Sequence, residues 1–134
     1  MATPRIFVDT SYVVALLNHR DQYHEQALAL ADRLEDRPLL TTDSILLEIG
    51  NALARGFRAQ AVEVIGDFLS SADVEVVRLT PHLFDQAYSL FGSRMDKEWT
   101  LVDCISFLVM KEAKSTEALA FDRHFPQAGF RELR

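Results

Sequence analysis

Short apolar runs alternate along the chain with longer amphipathic stretches. Arg5-Ile6-Phe7-Val8-Asp9 is β-branched and aromatic and reads as a buried strand with a carboxylate at its C-terminal end. Ser11 to Asn18 is an apolar helical segment, broken by Asn18-His19-Arg20-Asp21. Gln22 to Leu34 puts Ala27, Leu28, Leu30, Ala31 and Leu34 at helical spacing, and Pro38 disfavours helix at the residue before it. Leu39-Leu40-Thr41 reads as a second strand. Thr42 or Asp43 then caps a helix to about Arg55, with Gly56 at its C-terminal end. A fourth helix, Ala59 to Leu69, would turn Val62, Ile65, Phe68 and Leu69 inward, and the alternation of Asp73 to Leu79 predicts a strand. Thr80-Pro81 starts a helix whose buried stripe is Leu83, Ala87, Leu90 and Phe91. Gly92 to Trp99 is irregular, and Thr100 opens a helix to about Lys114 that is apolar nearly all round. Glu117 to Phe121 is a short strand followed at once by Asp122, and 129–133 adds an edge strand.

Strands separated by helices, without glycine-marked hairpins, predict right-handed crossovers and a parallel sheet. The expected fold is α/β, and its length of 134 residues suits one domain over 1–134. Cys104 is the only cysteine, which excludes an intramolecular disulfide and a cysteine-cluster metal site. Within an apolar run it reads as a small buried hydrophobe. No apolar run approaches the roughly 18 residues of a membrane span, and no signal-like segment opens the chain, so no membrane partner and a cytoplasmic location are expected. A net charge of −6 argues against a simple nucleic-acid-binding module, which carries a basic footprint. It leaves room for an enzyme whose clustered acids hold a cation.

Candidate chemistry follows from where the acids fall. Asp9 and Asp122 each end a short apolar strand, so both carboxylates would emerge at one sheet edge, where open α/β sheets bind ligands. The competing roles are an N-cap for Asp9 and a simple turn for Asp122. Glu48 sits at the border of the apolar arc of Ile45, Ile49, Ala52 and Leu53, where an unpartnered charge is costly. Asp103 lies in the most apolar helix, and Thr100-Leu-Val-Asp103 also fits a capping box. Four converging carboxylates repel and call for a cation. Hard oxygen donors suit Mg2+ or Mn2+, and the implied chemistry is phosphoryl transfer. The chain lacks a glycine-rich phosphate loop, His-Glu-x-x-His and G-x-S-x-G. His19, His24, His82 and His124 are scattered and read as surface residues, with only His124, beside Asp122, close to a candidate acid.

The opening Phe-Val-Asp9-Thr-Ser, the helical Leu-Leu-Glu48-Ile-Gly-Asn, the block from Asp96 through Asp103 to Phe107, and Ala-Phe-Asp122-Arg-His-Phe together resemble PIN-domain proteins, in particular the small prokaryotic VapC-type toxin ribonucleases. The resemblance implies a three-layer α/β/α fold and an Mg2+- or Mn2+-dependent endoribonuclease. Its acidic positions fall on Asp9, Glu48, Asp103 and Asp122, with Asp9 and Asp103 as main metal ligands and Glu48 and Asp122 binding metal or orienting water. Thr10 or Ser11 would support Asp9 or touch substrate, and Asp96 matches an acid of the subgroup. Val102 departs from a frequent Ser or Thr. The resemblance further implies RNA as substrate, a homodimer, and a VapB-like antitoxin as partner. Arg94, Lys97, Lys111, Lys114 and Arg123 are candidates for phosphate contacts. The alternative is a PIN-fold interaction module without nuclease activity. A haloacid-dehalogenase-like site is disfavoured because Ser11 stands where a second aspartate is required, and a receiver-like site lacks its paired acid and late lysine. With the other acids in apolar surroundings, Asp9 is expected as a metal ligand, leaving helix capping to Thr10 or Ser11.

Overall fold

Ile6, Phe7 and Val8 are wholly buried and form β1 (Ile6–Val8), the middle strand of the sheet. Such a strand has a packed layer on both faces, which is why it is apolar without alternation. The computed structural model describes residues 3–134. After β1 come α1 (Thr10–Leu17), α2 (His24–Arg33), β2 (Leu39–Thr42), α3 (Asp43–Ala52), α4 (Arg58–Ser70) and β3 (Val74–Val77). The second half adds α5 (Pro81–Ser93), α6 (Leu101–Glu112), β4 (Glu117–Leu119), α7 (His124–Gln127) and β5 (Arg131–Glu132).

All five strands are parallel, in the order β3-β2-β1-β4-β5. The register sets Phe7 against Leu40 on one side and Ala118 on the other, and Val8 against Leu119. The chain winds outward from β1 through β2 to β3, then crosses back over the sheet to β4 and continues to β5. With right-handed crossovers the first four helices cover one face, and α5, α6 and α7 the other. The parallel sheet is as the alternation of strands and helices predicts, and the three layers are as the resemblance implies. Because the winding direction reverses at β1 and β4, the crevice beyond their C-terminal ends is the topological switch point of the sheet.

Local chemistry places the helix starts. The Thr42 hydroxyl accepts from Ile45 N at 3.1 Å and caps α3, and the Thr80 hydroxyl does the same for α5 from Leu83 N. Thr41, fully buried, donates its hydroxyl to Val8 O at 2.9 Å, tying β2 to the last residue of β1. Gly56 has φ +86°, a left-handed conformation that glycine adopts without strain, at the turn after α3. Phe125 in α7 is buried between Phe7 and Phe107 of α6, at ring separations of 5.9 and 5.3 Å.

Several expected boundaries shift. α3 ends at Ala52 and β4 at Leu119, so Asp122 stands three residues past the strand rather than directly on it. The four-residue α7 has too little periodicity to be read from sequence. In α4, Ala61 is buried and Val64, Ile65 and Phe68 are partly so, whereas Val62 and Leu69 face solvent. Packed at the edge strand β3, that helix needs only a narrow apolar stripe.

Phe125→Ala should empty a buried aromatic site between β1 and α6. We expect a loss of about 3–5 kcal/mol in stability, seen as a lower urea midpoint with an unchanged slope.

Candidate active site at the sheet switch point

A cleft of about 570 Å³ opens at this switch point, lined by Asp9, Thr10, Ser11, Glu48, Asn51, Ala52, Thr100, Asp103, Asp122 and His124. All four acids singled out by sequence therefore share one crevice, and they come from α3, α6, the end of β1 and the loop after β4. A larger hollow of about 960 Å³ lies by the N-terminal ends of the strands, lined by Pro4, Arg5, Glu75, His82, Lys111 and Lys114 among others. Its mixed charges converge on no reactive group, so the smaller cleft is the candidate site.

Asp9 is 6% exposed and does cap α1, contrary to the expectation that Thr10 or Ser11 would take that task. Its Oδ2 accepts from Ser11 N at 3.1 Å and from the Ser11 hydroxyl at 2.6 Å. Both bonds fall on one oxygen, and Oδ1 accepts no protein hydrogen bond among the described residues. The Ser11 hydroxyl in turn accepts from Phe121 N at 2.9 Å, so one side chain braces the ends of β1 and β4 together. Asp9 N donates to Leu119 O at 3.0 Å, continuing the strand pairing into the site.

Asp103 sits in the first turn of α6 and completes the expected capping box. Its Oδ2 accepts from Thr100 N at 2.9 Å, and its own N donates to the Thr100 hydroxyl at 3.0 Å. Thr10 donates its hydroxyl to Glu48 Oε1 at 2.6 Å, so it holds Glu48 while Ser11 holds Asp9. Asp122 accepts from His124 N at 2.9 Å, and its own N donates to Glu132 Oε1 at 2.7 Å, which pins the loop after β4 against β5.

His124 belongs to the site although its sequence context suggested a surface residue. Its side chain is 16% exposed, and Nδ1 donates to Asp103 Oδ2 at 2.8 Å while lying 3.3 Å from Asp122 Oδ1. The available signal was its position two residues after Asp122, where an aspartate turn folds the ring back toward the acid. Asp103, 21 residues earlier, is visible only in three dimensions.

The expected phosphate-binding cations are not in the cleft. Arg94 and Lys97 pair with the exposed Asp96, Arg123 pairs with Glu98, and Lys111 and Lys114 line the larger hollow at the far end of α6. The Arg94 guanidinium holds the Asp96 carboxyl down to about 2. Asp96 is not among the residues that line the cleft. Val102 is not among the lining residues either. Cys104 is fully buried, and burial raises its thiol, the inert behaviour expected of a core cysteine.

Electrostatics show what the cleft lacks. Burial, and then the charges of Asp122 and Asp103, push the Asp9 carboxyl up to about 6 against the Ser11 hydrogen bonds. Burial likewise raises Glu48, opposed by the Thr10 hydroxyl and aided by Asp103 and Asp122. No Lys or Arg lines the cleft among the described residues, and one imidazole faces four carboxyl groups. This donor set fits a divalent cation: oxygen ligands on rigid elements, with a shortage of positive charge. Asp103, Asp122 and His124 offer ligand atoms all within 4.8 Å of one another.

With a parallel sheet, a switch-point cleft and four acids in it, the chain belongs to the PIN domain family, whose signature spans residues 6–131. VapC20 of Mycobacterium tuberculosis, a 23S rRNA-specific endonuclease, is 34% identical over 131 residues, covering 96% of this chain and 98% of its own. Its crystal structure, that of a Sarcin-Ricin loop cleaving toxin, superposes with a TM-score of 0.85 at 33% identity over the same shares. FitAcB from Neisseria gonorrhoeae shares the fold alone, with a TM-score of 0.61 and 17% identity over 96% of each chain.

A raised carboxyl destabilises the metal-free protein when ionised. As pH rises, the unfolded chain releases the Asp9 proton near its ordinary 3.8 and the folded chain only near 6. Stability from this group is therefore greatest below 3.8, falls between 3.8 and 6, and is flat above. Asp9→Asn should accordingly raise stability at pH 8 in the presence of a chelator, by about 1–3 kcal/mol. The gain should shrink toward zero near pH 4, measured by urea titration at both pH values.

Proposed function

We propose that this chain, acting as a single domain over 1–134, is a divalent-metal-dependent endoribonuclease of the VapC toxin type. The observation that carries the reading is the convergence of Asp9, Glu48, Asp103 and Asp122 on a cleft that no lysine or arginine lines among the described residues. The 34% identity to a 23S rRNA endonuclease across nearly the whole of both chains supports RNA as substrate.

Asp9 and Asp103 are the proposed principal ligands. Each is held through Oδ2 by its own helix start, and no protein hydrogen bond is taken up by Oδ1 among the described residues. When bound there, Mg2+ or Mn2+ would supply Lewis-acid activation of water and charge screening at the phosphate. Glu48, steadied by Thr10, and Asp122, steadied through its loop, line the same cleft and would bind the ion or orient a water. Ser11 fixes the Asp9 carboxylate, and Thr10, Asn51 and Thr100 on the cleft wall offer neutral hydrogen-bonding groups to the RNA backbone.

An RNase that attacks its own cell's RNA must be restrained, which supports a protein partner of the VapB-like antitoxin kind and a cytoplasmic site of action. No helix among the described residues is long and apolar enough to cross a membrane. Phe84, Tyr88 and Phe91 form an exposed stripe at i, i+4 and i+7 on α5, with Met95 beyond it. Such a contiguous apolar surface supports self-association as a homodimer.

Incubating the purified chain with 23S rRNA in ribosomes and Mg2+ or Mn2+ should yield a discrete fragment, abolished by chelation. Asp9→Asn and Asp103→Asn should each lower the rate by ~100-fold or more, the scale of losing a principal electrostatic stabiliser. Both variants should melt at or above the wild-type temperature without metal. Undiminished cleavage by either would contradict the assignment.

A further inference from the structure

We propose that the His124 imidazole is itself a metal ligand, and that Asp103, Asp122 and His124 form a mixed nitrogen–oxygen subsite selecting a transition-series ion such as Mn2+ over Mg2+. The inference rests on the reading of the cleft as a divalent-metal site and adds to it a nitrogen donor and a preference between ions.

The geometry is that of neighbouring ligands around one ion. With bonds near 2.1 Å, adjacent corners of an octahedron lie about 3.0 Å apart. His124 Nδ1 is 2.8 Å from Asp103 Oδ2 and 3.3 Å from Asp122 Oδ1, on either side of that edge. Nδ1 thus faces both carboxylates, and an ion held by the three groups would replace the Nδ1–Asp103 hydrogen bond, with Nδ1 coordinating and the ring proton carried on Nε2.

The ring is also held in place. His124 N donates to Asp122 Oδ1 at 2.9 Å, and the next residue, Phe125, is anchored in the core. Imidazole is a borderline donor that favours first-row transition ions, whereas Mg2+ takes oxygen ligands and keeps its waters. A nitrogen in the shell should therefore act on the ratio of affinities. The other histidines are elsewhere: Nδ1 of His24 bonds Ala15 O, His19 packs its ring against Phe57, and His82 lines the larger hollow.

The test uses the whole chain, stripped of metal and titrated separately with Mn2+ and Mg2+ by calorimetry. Electron spin echo of the Mn2+ complex gives a readout independent of activity. Wild type should show a nitrogen modulation from one imidazole, absent in His124→Ala. That substitution should weaken Mn2+ by about tenfold or more, while Mg2+ changes less than about threefold. His124→Asn keeps a hydrogen-bond donor toward Asp103 but has no imidazole, so it separates a ligand from a brace. Loss of both the modulation and the Mn2+ preference in His124→Asn supports the ligand. Mn2+ binding without nitrogen modulation in wild type, equal weakening of both ions, or full rescue by asparagine would overturn it and leave the oxygen-ligand site intact. A wild-type chain that binds neither ion would overturn the nuclease reading as well.

Discussion

Burial of several carboxylates in one crevice, reinforced by their mutual repulsion, is the constraint on which the site depends. Asp9 and Asp103 are each less than a tenth exposed, and Asp9 keeps its proton to about pH 6 because burial and its acidic neighbours oppose ionisation. Folding tolerates them because each acid is anchored by hydrogen bonds of its own. Ser11 holds Asp9, Thr100 and His124 hold Asp103, Thr10 holds Glu48, and backbone amides of the loop after β4 fix Asp122 and Glu132. The arrangement retains a shortage of positive charge that a divalent ion can fill.

The sheet makes that convergence possible. Right-handed winding outward from β1 and back to β4 leaves the C-terminal ends of these strands side by side, while α6 brings its first turn to the same place. Two consequences follow from the same geometry. The positive end of the α6 dipole lies at Asp103, which favours an anion there. The basic residues at the other end of α6, Lys111 and Lys114, are carried a helix length away from the chemistry, although they follow Asp103 closely in sequence.

Much of this was legible in the chain because burial is written in apolar runs. Ile6-Phe7-Val8 and Ala118-Leu119 announce central strands, and a charge placed among Leu101, Val102, Ile105 and Phe107 is costly enough to demand a reason. Less legible were features set by tertiary proximity. Asp9 both caps its helix and faces the cleft, which sequence treated as alternatives because it cannot show that the capping bonds use one oxygen only. His124 stood apart from the other three histidines only by its place beside Asp122, and nothing local tells that α6 begins beside the end of β4. Val62 has the spacing of an inward residue, but an edge helix buries too narrow a stripe to include it.

Anomalous scattering from crystals of the protein grown with Mn2+ shows directly whether the crevice between β1, β4 and α6 holds a divalent ion. At least one strong peak is expected within bonding distance of Asp9 and Asp103 carboxylate oxygens. An empty crevice at saturating Mn2+, with those carboxylates still bonded only to Ser11, Thr100 and His124, would contradict it.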